Sequence, residues 1–141
     1  MILVYVHTYR YMKMAKVAVY GSLRKGMGNH SLLSNSTQLG KCVVNIPYKM
    51  VDLGAFPALV GAENRDIVIE VYEVTDTTMN SLDRLEGYHG PDKVGNLYER
   101  TYIATPYGEA YLYVMEDTEW AYGSPEVRSG DWVQHCVARA I

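Results

Sequence analysis

The stretch DIVIEVYEV, residues 66–74, runs directly into TDTTMNSLDRLEG, residues 75–87, and the change of period between them decides the architecture. Ile67, Ile69 and Val71 alternate with Val68, Glu70 and Tyr72, which predicts a strand. From Thr75 the apolar residues Met79, Leu82 and Leu85 recur at helical spacing. Thr75 or Asp76 supplies an N-cap, and Gly87 stops the helix. On the N-terminal side, Lys16 to Tyr20 predicts a short strand, Gly26 to Asn29 breaks it, and His30 to Leu33 offers a brief helix. Gln38 to Val44 and Tyr48 to Leu53 are two strand-like runs separated by Asn45, Ile46 and Pro47, with Phe56 to Val60 a further extended piece. On the C-terminal side, Leu97 to Thr105 and Glu109 to Met115 flank Pro106, Tyr107 and Gly108 as a hairpin. The tail from Gly130 and Asp131 through Trp132, Val133, Cys136 and Val137 closes as a helix. Alternating βαβ units are missing, so the expected class is α+β: a mixed, mainly antiparallel curled sheet or small β-barrel with a few flanking helices, and not a doubly wound fold.

With 141 residues, 48% of them hydrophobic and 21% charged, the chain has the size and composition of one self-sufficient globular domain. We place that domain at residues 16–141. Residues 1–15 are read as an N-terminal extension, and because Met14, Ala15 and Lys16 lead straight into the first strand, Met12 or Met14 is an alternative start. A net charge of −3 argues against nucleic acid as the main partner, since phosphate binding needs a clustered basic face and Arg24 with Lys25 do not make one. The apolar run Ile2 to Val6 is far shorter than the ~20 residues that span a bilayer, and no export signal is visible. Cys42 and Cys136 have no CxxC spacing and read as free thiols, which fits a reducing cytoplasm. Thirteen tyrosines against one phenylalanine suggest half-buried rings with hydroxyls at the rim of a sheet.

Two stretches carry chemistry. Tyr20, Gly21, Ser22 and Leu23 follow the first strand as a bare loop, whose main-chain N–H groups could form a nest for a carboxylate or oxyanion. Glu86 emerges at a helix C-terminus, where partial negative charge disfavours its ionised form; burial and Asp83 one turn earlier add in the same direction. A carboxyl tuned toward neutrality suits proton transfer. Other readings fail on residue type. Met27 and Gly28 stand where a phosphate-binding P-loop needs lysine and a hydroxyl residue. The glycines at 26 and 28 lack a parallel crossover to serve a dinucleotide. Ser22 lacks the flanking glycines of a nucleophile elbow. His7, His30, His89 and His135 have no metal-ligand spacing. Taken singly, the loop is a tight turn and Glu86 a helix-end residue paired with Arg84 or Arg100.

Taken together, the stretches resemble the gamma-glutamylcyclotransferase-like family, and within it the branch that includes gamma-glutamylamine cyclotransferases. The resemblance runs from about Lys16 to about Met115. It rests on Val19 to Gly26, on Phe56, Pro57 and Ala58, on Ile69 to Val74, on Leu82 to Tyr88, and on Tyr98, Glu99 and Arg100. It implies that Glu86 is the acid/base and that Tyr20, Gly21, Ser22 and Leu23 hold a gamma-glutamyl group, with no cofactor and no metal. Tyr98, Tyr88 and Phe56 are candidate pocket walls. The implied reaction cyclises the gamma-glutamyl group to 5-oxoproline and releases an amine or amino acid. A non-catalytic small-ligand-binding module of the same fold is the alternative. An interaction protein using the acidic, aromatic segment Glu116 to Tyr122 is a more remote one.

Overall fold

A computed structural model describes residues 13–116 and 119–140; residues 1–12 of the expected extension lie outside the described residues. Five strands form one open sheet in the order β2-β3-β1-β5-β4. They are β1 (Met14–Val19), β2 (Thr37–Asp52), β3 (Pro57–Thr75), β4 (Glu99–Thr105) and β5 (Gly108–Val114). Every pairing is antiparallel except β1 with β5, which is parallel. The sheet is therefore mixed and mainly antiparallel, and it ends at β2 and β4 rather than closing into a barrel. The helices are α1 (Asp76–Leu85), the short α2 (Glu119–Tyr122) and α3 (Trp132–Arg139), with a 3-10 turn at His30–Leu33. Among the described residues no helix is long and apolar enough to cross a membrane.

Both faces of the sheet are covered, and successive residues of the central strands serve opposite cores. Val17 and Val19 of β1, with Tyr72 and Val74 of β3, pack with Met79 and Leu82 of α1. Ala18 of β1, with Ile69 and Val71 of β3, packs on the other side with Trp132 of α3. β1 begins at Met14, opposite Thr75 of β3, two residues ahead of the expected Lys16.

The main departure from expectation lies in β2 and β3. The four separate pieces expected between Gln38 and Val74 are two continuous strands that pair along their length. Pro47 does not end β2. It sits where the register shifts, between Ile46↔Arg65 and Tyr48↔Gly61, so its missing N–H falls at an irregularity that needs no ladder bond there. Beyond this bulge the far half of the hairpin returns to the core: Leu59 accepts from the Met115 N–H at 2.8 Å, and Val51, Ala58 and Val60 are fully buried. The bulge thus carries the turn at residues 53–56 toward the C-terminal end of β1.

Candidate active site

A cavity of about 320 Å³ opens at the end of β1, within the size range of small-molecule sites. Its floor is built by Ala18, Val19 and Tyr20, and the loop residues Gly21, Ser22 and Leu23 form one side. The β2–β3 turn brings Ala55, Phe56 and Pro57, the end of α1 brings Leu85 and Glu86, and Leu97, Tyr98 and Tyr113 complete the wall. All six predicted site residues, Tyr20, Gly21, Ser22, Leu23, Glu86 and Tyr98, therefore border one space. Leu23 and Glu86, the nearest predicted residues of the two segments, are 63 positions apart, the span that takes the chain out through the β2–β3 hairpin and back.

The loop is held tightly. Arg24 N–H closes a turn on the Gly21 carbonyl at 3.0 Å, and Asn29 N–H donates to the Ser22 carbonyl at 2.9 Å. Asn29 Nδ2 also donates to Ser22 Oγ at 3.0 Å, which occupies that hydroxyl with an amide rather than a base. Among the described residues, the N–H groups of Gly21, Ser22 and Leu23 donate to no protein acceptor. Gly21 is required for space and not for a left-handed backbone. A Cβ there would come within 2.8 Å of the Pro57 ring.

Glu86 caps α1. Its N–H donates to the Leu82 carbonyl at 2.9 Å, and its own carbonyl accepts from Tyr98 N–H at 3.2 Å. Gly87 follows in the left-handed region at φ 63°, and a Cβ there would press on Leu97. The chain can thus turn sharply from helix to loop while leaving the carboxyl in the cavity. Among the described residues the Glu86 carboxyl has neither a hydrogen bond nor an ion pair. Burial pushes its pKa up from 4.5 to about 7.

Two expected influences on Glu86 are corrected. Asp83 is not a bare like charge: Arg100 Nη1 lies 3.0 and 2.9 Å from its two carboxylate oxygens, and Tyr113 hydroxyl donates to it at 2.7 Å. Arg84 does not reach Glu86 either; it donates to Ser81 Oγ, back along the helix. Tyr88 is not a pocket wall, because its ring packs under the Arg100 guanidinium, 4.7 Å away. Phe56 and Tyr98 do line the cavity.

The phenols around the carboxyl are committed donors. Tyr20 hydroxyl donates to the Tyr113 carbonyl at 2.7 Å, and Tyr98 hydroxyl to the Pro57 carbonyl at 2.7 Å. Burial, with Glu86 nearby, raises the pKa of both well above the ordinary tyrosine value. They are neutral, oriented walls rather than acids.

Three features escaped the sequence reading. Tyr113 lines the cavity and ties it to Asp83, yet in the sequence it is one tyrosine among thirteen. Arg24 is 3% exposed and is held by Glu70 at 2.8 Å and by Asp131 at 2.7 Å. Glu70, also 3% exposed, further accepts from Lys25 N–H and Tyr72 hydroxyl. This buried network fastens the loop's C-terminal side to β3 and to the N-cap of α3. A glutamate inside the apolar run 67–74 was the available signal. Elsewhere, carboxylate oxygens of Asp92, Glu99 and Glu116 come within 4.8 Å of one another at the surface. There Glu99 accepts from Asp92 N–H and Asn96 Nδ2, bonds that order the loop preceding β4.

The family model for gamma-glutamyl cyclotransferase, AIG2-like, matches residues 17–134, a span that includes both the loop and Glu86. The chain belongs to this family. A Vibrio cholerae protein, named provisionally as a gamma-glutamylcyclotransferase, is 38% identical over 118 residues, covering 84% of this chain and 95% of that protein. The gamma-L-glutamyl-butirosin B gamma-glutamyl cyclotransferase of Niallia circulans is 33% identical over 134 residues, covering 90% and 81%. Among solved structures, the family protein ytfP of Escherichia coli superposes with a TM-score of 0.65 at 33% identity, over 86% of this chain and 98% of that one.

Proposed function

We propose that the protein cyclises a gamma-glutamyl group to 5-oxoproline and releases the amine bound to its γ-carbonyl. The observation that carries this reading is a carboxyl, Glu86, without a partner among the described residues, bordering the same small cavity as three main-chain N–H groups that donate to no described protein acceptor. The substrate's α-amine attacks its own γ-carbonyl, the five-membered lactam closes, and the C–N bond to the leaving amine breaks. Holding both ends of one molecule in attack geometry can supply an effective molarity of about 10⁵ M or more. The N–H groups of Gly21, Ser22 and Leu23 suit that task, holding the glutamyl carboxylate or the developing oxyanion.

Proton traffic balances through Glu86. As carboxylate it accepts a proton from the α-ammonium, freeing the nucleophile, and as carboxylic acid it delivers that proton to the leaving nitrogen; the second proton, shed by the attacking nitrogen as the lactam closes, ends on the released amine as its ammonium. Such relay typically contributes about 10²- to 10⁴-fold. A pKa of about 7 allows both forms near neutral pH. Because the base form must be present at the start, kcat/KM should rise with pH through an inflection near 7. The direct test is mass-spectrometric detection of 5-oxoproline from a mixed library of gamma-glutamyl amino acids and gamma-glutamylamines. Release from one or more members supports the proposal. Binding of 5-oxoproline with no turnover across the library would point instead to a ligand-binding module.

A further inference from the structure

Asp83 stands one turn before Glu86 at the end of α1, and residues three apart on a helix have Cβ atoms about 5–6 Å from each other. A bare negative charge at that distance would oppose ionisation of Glu86 on top of burial. The fold sets a cation against it. Arg100 Nη1 lies 3.0 and 2.9 Å from the two Asp83 oxygens. The guanidinium is held there by two rings, with the centroid of Tyr88 4.7 Å away and that of Tyr111 4.1 Å away. Tyr111 in turn stacks on Tyr102 at 4.2 Å.

Tyr113 joins this pair to the cavity. Its hydroxyl donates to Asp83 at 2.7 Å, and its residue lines the same space as Glu86. Burial, the bond to Asp83 and the charges of Asp83 and Glu86 push its pKa well above the ordinary tyrosine value, while Arg100 pulls the other way. One phenol thus lies in the field of all three charges. The other groups set around Glu86 bring no charge to it. Tyr20 from the end of β1 and Tyr98 before β4 are neutral phenols donating to carbonyls, and Arg84 on the same helix turns back to Ser81. The Asp83–Arg100 pair therefore decides what net charge stands one turn from the carboxyl.

Resting on the cyclotransferase reading above, we propose that Arg100 is a positioning residue for the reaction: by holding Asp83 in a neutral pair, it keeps the base form of Glu86 available at neutral pH. With Asp83 neutralised, burial sets the Glu86 pKa at about 7, where half of the population is carboxylate. A further rise of one unit would leave only about a tenth in that form at pH 7.

The test is the pH profile of kcat/KM for 5-oxoproline release, on a gamma-glutamyl substrate that the parent turns over. Arg100→Gln removes the cation and leaves Asp83 bare, so its inflection should move up by about 0.5–1 pH unit. Asp83→Asn leaves Arg100 uncompensated and should move the inflection down. The double variant should return it close to the parental position, and Arg100→Lys, which keeps the charge, should hold it there even if the rate falls. The opposite signs separate charge balance from scaffolding, because a merely structural role lowers kcat/KM at every pH alike. A parental inflection near 7 that neither Arg100→Gln nor Asp83→Asn moves overturns the inference and leaves the cyclotransferase reading intact. Should Arg100→Gln fail to fold, the downward shift in Asp83→Asn and its reversal by Arg100→Lys in the same background being absent overturn it equally. No 5-oxoproline from the parent across a wide gamma-glutamyl panel overturns both.

Discussion

Glu86 holds a carboxyl in a place that costs stability, and the sign of that cost is measurable. Its pKa is about 7 in the folded chain against an ordinary value of 4.5. Below pH 4.5 the group is protonated in both states and contributes no difference. Between 4.5 and about 7 the unfolded chain ionises first, so it binds fewer protons and folding stability falls as pH rises. The full deficit is about 3 kcal/mol above pH 7, from a shift of two to three pKa units. A Glu86→Gln variant should therefore gain stability relative to the parent as pH is raised from 4.5 to 8, seen in urea denaturation midpoints. A constant difference across that range would show that the group is not raised. At Gly21 the prediction is steric. Gly21→Val places side-chain atoms against Pro57, so it should shift the loop, raise KM more than it lowers kcat, and destabilise by about 1–3 kcal/mol.

At the scale of elements, the loop is only as well placed as the buried network behind it. Arg24→Ala would strand the Glu70 carboxylate, 3% exposed, without its cation. The expected cost is about 3–5 kcal/mol, measured by chemical denaturation. Asp131→Asn removes the more exposed partner, so it should cost markedly less. How legible such features were depended on where each residue's partner lies. The strand 66–74, helix α1 and the stop at Gly87 were readable because period and capping are local: Thr75 Oγ1 does accept from Thr78 N–H at 3.2 Å. The continuity of β2 and β3 was not. Gly61 to Asp66 is polar and mostly exposed, so it reads as a gap. Its pairing with β2 needs no buried face, and Pro47 falls harmlessly at the bulge. Helix α2 spans four residues, too few to show a period.

Across the whole molecule, the site arises from long-range assembly. The order β2-β3-β1-β5-β4 puts β1 at the centre, so the loop that follows it emerges between the β2–β3 turn and the end of α1. Position in the sheet also sets local stability. The amides of Val17 to Val19, fully interior, should exchange with solvent only through global unfolding, whereas those of edge strand β4 should exchange by smaller openings. Hydrogen exchange resolved by residue checks this; faster exchange in β1 than in β4 would contradict the topology. That the loop and Glu86 form one site was suggested by their joint family resemblance, because neither stretch alone distinguishes a site from a turn. The neutralisation of Asp83 is equally long-range, because its partners, Arg100 and Tyr113, arrive from β4 and β5. The central claim is that Glu86 moves the protons of lactam closure, and the most direct measurement is 5-oxoproline release by Glu86→Gln beside the parent protein on the best gamma-glutamyl substrate found. The account predicts a folded variant that still binds the substrate while product formation falls by at least 100-fold. Near-normal turnover in that variant would contradict it.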